Sequence, residues 1–253
     1  MRLPYLRNEG WSGRVLKAEL LETAGLALAE KNLNDMARIN RWFGTHRTLR
    51  RVMRTLVSPK EQFSLLDVGA GSGDLGRCIL DRFRHATVVS LDRRSIHLRK
   101  ALTPRVAADA FHLPFLPKAF DFVLCSSLLH HFPDSEAIKL VAELRRVARR
   151  ALIVLDLERH PLAYRFLPMT KGLFRWGPLT VHDGPVSVAA AFRPAELAAL
   201  VRAAGADSVI VQRHRPWFRI TVVVGASSTE NAEQHPARLQ NQSHAIMASS
   251  AAN

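Results

Sequence analysis

The run Leu65-Leu66-Asp67-Val68-Gly69-Ala70-Gly71-Ser72-Gly73-Asp74 constrains the fold of this chain more than any other stretch. An apolar strand ending at Val68 carries the backbone to a sheet edge, and glycines at every second position let it turn sharply while keeping side chains clear of a ligand. Residues 75–83 then read as a helix whose N-terminal amides face the same crevice. A strand, glycine loop and helix in that order make a pocket for a nucleoside-containing cofactor.

Two registers compete for the loop. Starting at Gly71, Gly71-Ser72-Gly73-Asp74-Leu75-Gly76 satisfies the dinucleotide fingerprint, with Asp92 at the distance of its ribose acid. Starting at Asp67, the pattern is Asp-x-Gly-x-Gly-x-Gly, and in this register the sequence resembles the class I S-adenosylmethionine-dependent methyltransferases. Three further stretches extend that resemblance. Residues 86–91 form a β-branched strand ending in Asp92, where the family holds both ribose hydroxyls; a carboxylate has acceptor capacity for each. Asp109 and Ala110 fall one strand later, where the family binds the adenine amino group, with Phe111 next to the ring. Residues 119–132, ending in His130-His131-Phe132, resemble the fourth strand and the loop that reaches the methyl group.

The resemblance therefore implies S-adenosylmethionine as cofactor, held by Asp67, Gly69, Gly71, Gly73, Asp92, Asp109 and Ala110. It implies a Rossmann-like α/β fold: a seven-stranded, mostly parallel sheet with an antiparallel last strand, helices on both faces and an N-terminal helical cap. Taken singly, Asp67 reads equally as a cap for loop amides, and Asp92 and Asp109 as turn formers. Asp121, opening a strand, reads as structural. His131 is the candidate catalytic residue, a base for an O- or N-bound proton. On a strand end, neighbouring side chains point to opposite sides, so only one of His130 and His131 is expected to face the pocket.

The 253 residues, 47% of them apolar, accommodate one large α/β domain with an appendage. No apolar run approaches the roughly 20 residues of a membrane span, and the N-terminus lacks a secretory pattern, so the expected location is the cytoplasm. Cys78 and Cys125 read as small buried hydrophobes. The eleven histidines have no metal-ligand spacing, and no metal is expected.

Residues 1–57 are expected to form the cap, with helices over 16–30 and 33–57 joined by Lys31 and Asn32. Residues 58–226 form the methyltransferase domain, and 227–253 form a polar, disordered tail. A helix is expected over 135–150 and a fifth strand over 151–157. Residues 158–192, rich in proline and glycine, cannot be one regular helix and form a substrate-side insert. Asn40, Trp42, Phe43, Tyr164, Trp176 and His182 are the candidate substrate contacts. A last helix over 193–205 leads to strands over 208–212 and 217–224.

The formal charge of +14 raises the prospect of a nucleic-acid or anionic-membrane partner. Arg145, Arg146, Arg149 and Arg150 have a simpler use at the end of a helix. The leading reading is methyl transfer to an oxygen or carbon of a small aromatic, phenolic or lipophilic metabolite. The alternatives are an RNA methyltransferase and a non-catalytic cofactor-binding module. Within the superfamily the chain resembles the type 11 group that includes quinone-biosynthesis enzymes, and Asn40 to Phe43 with 182–185 resemble a bacterial subgroup associated with type III polyketide synthases. No motif fixes the acceptor or the oligomeric state.

Overall fold

The computed structural model describes residues 13–225; the expected tail and the first twelve residues of the expected cap lie outside the described residues. Seven strands form one sheet in the order β3-β2-β1-β4-β5-β7-β6. They are β1 (Phe63–Val68), β2 (Ala86–Asp92), β3 (Arg105–Ala107), β4 (Phe120–Ser126), β5 (Ala148–Leu157), β6 (Val209–His214) and β7 (Arg219–Gly225). The first five pair in parallel, whereas β7 runs antiparallel to both β5 and β6. The strand order reverses beside β1 and β4, and ligands of open α/β sheets bind at that reversal, outside the carboxyl ends of the strands.

Alternation along each strand divides the core between the two faces. Leu66, Val68, Val123, Cys125, Leu152 and Val154 point to α4 (Asp134–Val147) and α7 (Pro194–Ala203). Leu65, Phe122, Leu124, Ile153 and Leu155 point to α2 (Thr45–Leu56) and α3 (Asp74–Leu80). Leu49, Val52 and Met53 of α2 are thus part of the sheet's own covering layer, which moves that helix from the expected cap into the main domain.

The N-terminal helices break elsewhere than expected. Helix α1 (Leu26–Trp42) runs straight through Lys31 and Asn32, because Asn32 is buried and donates to Thr180 Oγ1 at 3.2 Å. The break comes at Phe43-Gly44, where Gly44 adopts φ +88° and the Trp217 ring lies 2.3 Å from where a Cβ would be. Ahead of α1, residues 14–25 hold a single 3-10 turn, Leu20–Glu22, in place of the expected helix. The expected 135–150 helix ends at Val147, and Arg149 and Arg150 belong to β5. There they pair with Asp121 and Glu61, so the helix-dipole explanation does not apply to those two.

The insert is two helices, α5 (Pro161–Phe174) and α6 (Pro178–Ala190), each with proline in its first turn. They part at Arg175, which takes the left-handed conformation, and Gly177.

Candidate active site

The loop after β1 has the geometry its glycines require. Gly69, Gly71 and Gly73 all have positive φ, at 72°, 53° and 72°. At Gly73 a Cβ would lie 2.7 Å from the Cβ of Ala101, so both the conformation and the space exclude a side chain. Asp92, ending β2, ties the loop down: its Oδ2 accepts from the Gly71 amide at 3.1 Å and its Oδ1 from the Arg94 amide at 2.9 Å.

Asp67 is fully buried beneath the loop, and its Oδ2 has no hydrogen-bond partner. Burial, then the nearby charge of Asp74, pushes its pKa up to about 8 against a hydrogen bond from Gly76, with Asp92 adding to the rise. Three carboxyl groups crowded around one glycine loop disfavour one another's charge and favour a cation placed among them.

The third of these acids is held from the N-terminal helices. Asn40 Nδ2 donates to Asp74 Oδ2 at 3.1 Å, and His46 Nε2 lies 2.9 Å from the same oxygen. Burial works against a charge on His46, but the bonds to Asp74 and Cys78 outweigh it and raise its pKa to about 9. Asn40 therefore positions the cofactor loop and does not present its amide to an acceptor.

Residues 14–24 cross the carboxyl ends of the strands. Arg14 pairs with Asp134 and donates to the carbonyls of His130 and Phe132 at 3.0 and 2.9 Å. Leu20 and Leu21 donate their amides to Asp183 of α6, both at 3.0 Å. Arg94, just beyond the β2 acid, returns bonds to the carbonyls of Leu21 and Ala24. Between these anchors Glu19 is inserted, bonded to Ser187 of α6 and 3.8 Å from His130 Nε2.

His130 and His131 are not on a strand end. A 3-10 turn over Leu129–His131 stacks their rings with centroids 4.5 Å apart, so they share one side. The expected base, His131, stacks on His130, which is the more firmly held of the two rings. His130 Nδ1 lies 2.6 Å from Asp156 Oδ1 at the end of β5, which fixes the ring. Its Nε2 is buried without a hydrogen bond. Burial opposes a charge on His130, but Asp156 and then Glu19 overcome it and raise the pKa to about 9. Asp156 in turn is lowered, because the charge and hydrogen bond of His130 outweigh its burial. Among the described residues, Glu19, His130 and His131 also form the grouping whose ligand atoms lie close enough, within 4.8 Å, for a metal ion to draw together.

Several of the remaining predicted contacts lie in a ring cluster. Phe43 makes edge contacts with Phe166, Phe174, Trp176 and Trp217 at centroid distances of 4.7 to 6.3 Å. Trp176 is buried, stacks on Phe174 and donates to Thr170. Tyr164 is buried on α5, and Trp42 is half exposed beside Phe174. His182 points outward while its neighbour Asp183 does the anchoring described above. Asp109 accepts from the Phe111 amide in a local turn, next to the half-buried Ala110, and Phe111 packs on Phe132 at 5.0 Å.

Glu19, Arg14 and Asp156 were missed from sequence. Asp156 alone had left a signal, since a lone acid closing the apolar run 151–155 must find a buried partner.

Comparison with known proteins bears on the family and the fold. The family described as "Methyltransferase domain" matches residues 66–154. A demethylmenaquinone methyltransferase of Thermus thermophilus is 32% identical over 184 residues, covering 64% of this chain and 83% of that protein. A ubiquinone biosynthesis O-methyltransferase of Aeromonas salmonicida is 27% identical over 56% of this chain and 61% of its own length. An S-adenosylmethionine-dependent methyltransferase of Aquifex aeolicus shares the fold, with TM-score 0.52 and 19% identity over 71% of this chain and 89% of that one. The chain belongs to the class I S-adenosylmethionine-dependent methyltransferases. The residues suit that cofactor: the three positive-φ glycines keep the cradle open, and the unpaired buried oxygen of Asp67 is placed to receive a cationic donor. No helix among the described residues is long and apolar enough to cross a membrane.

Proposed function

We propose that the enzyme methylates an oxygen of a small aromatic or phenolic metabolite, or a ring carbon activated by deprotonating that oxygen. When bound, S-adenosylmethionine supplies an electrophilic methyl group on a cationic sulfur. Asp67, Asp92 and the loop glycines would hold it, with Asp109 and Ala110 on the adenine side as the family resemblance implies. The observation that carries the reading is the His130–Asp156 pair: Asp156 orients the imidazole through Nδ1, and Nε2 faces Glu19.

In this arrangement His130 lies between two carboxylates and keeps its proton at neutral pH. Moving Glu19 away lowers its proton affinity, the Nε2 proton passes to solvent, and the neutral imidazole accepts the proton of an acceptor hydroxyl, while the oxygen keeps the electron pair that forms the new bond. The segment carrying Glu19 is thus both the cover of the site and the control on its base. The relatives named for demethylmenaquinone and for ubiquinone biosynthesis support a small-molecule acceptor.

Incubation with methyl-labelled S-adenosylmethionine and a panel of phenols and hydroquinones tests the reading. Asp156→Asn is expected to lower kcat by about 100- to 1,000-fold, the range of general-base catalysis, with cofactor affinity unchanged. His131→Ala is expected to cost far less. Equal rates for wild type and Asp156→Asn on every methylated phenol would refute the base.

A further inference from the structure

On the outer side of α5 are the three most exposed large apolar side chains of that helix. Leu162, Met169 and Leu173 are 62%, 78% and 79% accessible. Their spacing of seven and four residues puts them within about 40° of one another around a helix of 3.6 residues per turn, in one stripe. The opposite side of α5 is spent on the protein at Tyr164, which is buried; Phe166, four residues after Leu162 and so at the edge of the stripe, packs with Phe174 on Phe43. Trp42, 48% accessible, lies next to Phe174 and continues the apolar surface at the end of α1.

The charge around this stripe has one sign. Between Glu158 and Asp183 the sequence contains no acid. Arg165, Lys171 and Arg175 are exposed on and just after α5, and Arg41 is exposed beside Trp42. An aliphatic ridge flanked by cations, with an interfacial tryptophan, has the chemistry of a helix that lies in a bilayer surface.

We propose that α5 docks this enzyme on an anionic lipid surface, with Leu162, Met169 and Leu173 entering the headgroup boundary and Arg165, Lys171 and Arg175 meeting lipid phosphates. A second copy of the chain is a poor occupant, because it would bring a further +14 charge to a face that is itself basic. Helix α6 packs between α5 and the turn carrying His130. Docking through α5 therefore brings the acceptor side of the sheet toward the bilayer, where a lipophilic acceptor would be dissolved. The docking surface does not depend on the methyl-transfer assignment.

Co-sedimentation of the full chain with phosphatidylcholine vesicles, with and without phosphatidylglycerol, tests it. Wild type is expected to sediment with the anionic vesicles and to be released in part by high salt. The variant Leu162→Asp/Met169→Asp/Leu173→Asp is expected to lose about tenfold or more of that binding. Its circular dichroism and its calorimetric affinity for S-adenosylmethionine should match wild type, which separates failure of docking from failure of the enzyme. No sedimentation of wild type with anionic vesicles, or equal sedimentation of the variant, would overturn the proposal. So would a concentration-dependent dimer in sedimentation velocity that the variant abolishes.

Discussion

The cofactor side and the acceptor side of this site are built on different principles. The cofactor side is nearly contiguous: Asp67 to Asp74 lie in one strand and its loop, and Asp92 closes them through a single bond to Gly71. The acceptor side is an assembly. Glu19 comes from an extended segment, His130 from the turn after β4, Asp156 from the end of β5 and Ser187 from α6. A contiguous site survives as a motif, whereas an assembled one exists only after folding has joined distant residues.

Four substitutions would break or sharpen that contrast. The largest effect is expected at the contiguous side. Gly73→Ala sets a methyl group against Ala101 at a positive φ, and calorimetry should show cofactor affinity falling by about a hundredfold or more. Unchanged affinity would mean that the loop is not the cradle.

A smaller effect, on pH dependence, is expected from the assembled side. Asp156 and Glu19 both raise the proton affinity of His130 in the free enzyme, so kcat/KM should climb with pH toward an inflection near 9. Glu19→Gln removes one of the two charges and should move that inflection down by on the order of one pH unit. A profile identical to wild type would detach Glu19 from the base.

The smallest effect belongs to the link between the two sides. Asn40→Ala removes one neutral-to-carboxylate bond to Asp74 and should weaken cofactor binding by roughly threefold to tenfold. The companion His46→Ala tests the sign of the same linkage by thermal unfolding. A histidine whose folded pKa is raised stabilises the fold fully below its unfolded value of about 6.5, and the gain disappears as pH rises through about 9. The Tm gap between wild type and His46→Ala should therefore close across that window.

This contrast also explains what the sequence revealed. Apolar strands and spaced glycines are local signals, and the loop follows from them; the acid at β2 and the antiparallel strand β7 came with the family resemblance that the loop carries. The break of α1 was misplaced because Asn32 looks like a turn residue until Thr180, far along the chain, gives its amide a buried partner. Phe43 and Trp176 looked like pocket walls because aromatic side chains carry no label that separates a ligand surface from a ring cluster. His130 and His131 were expected on opposite sides from the geometry of a strand, and the 3-10 turn removes that geometry. Several of the arginines have partners within the fold: Arg14, Arg94, Arg146, Arg149, Arg150 and Arg159 all bond there.

The segment of residues 14–24 adds no strand to the sheet and only its rim to the core, yet it supplies Glu19 and rests on Asp183 and Arg94. An inherited change in that segment can therefore alter which molecules reach His130 without disturbing the framework that binds the methyl donor. Such separation allows a lineage to try new acceptors cheaply, and it gives protein engineers the stretch to randomise first.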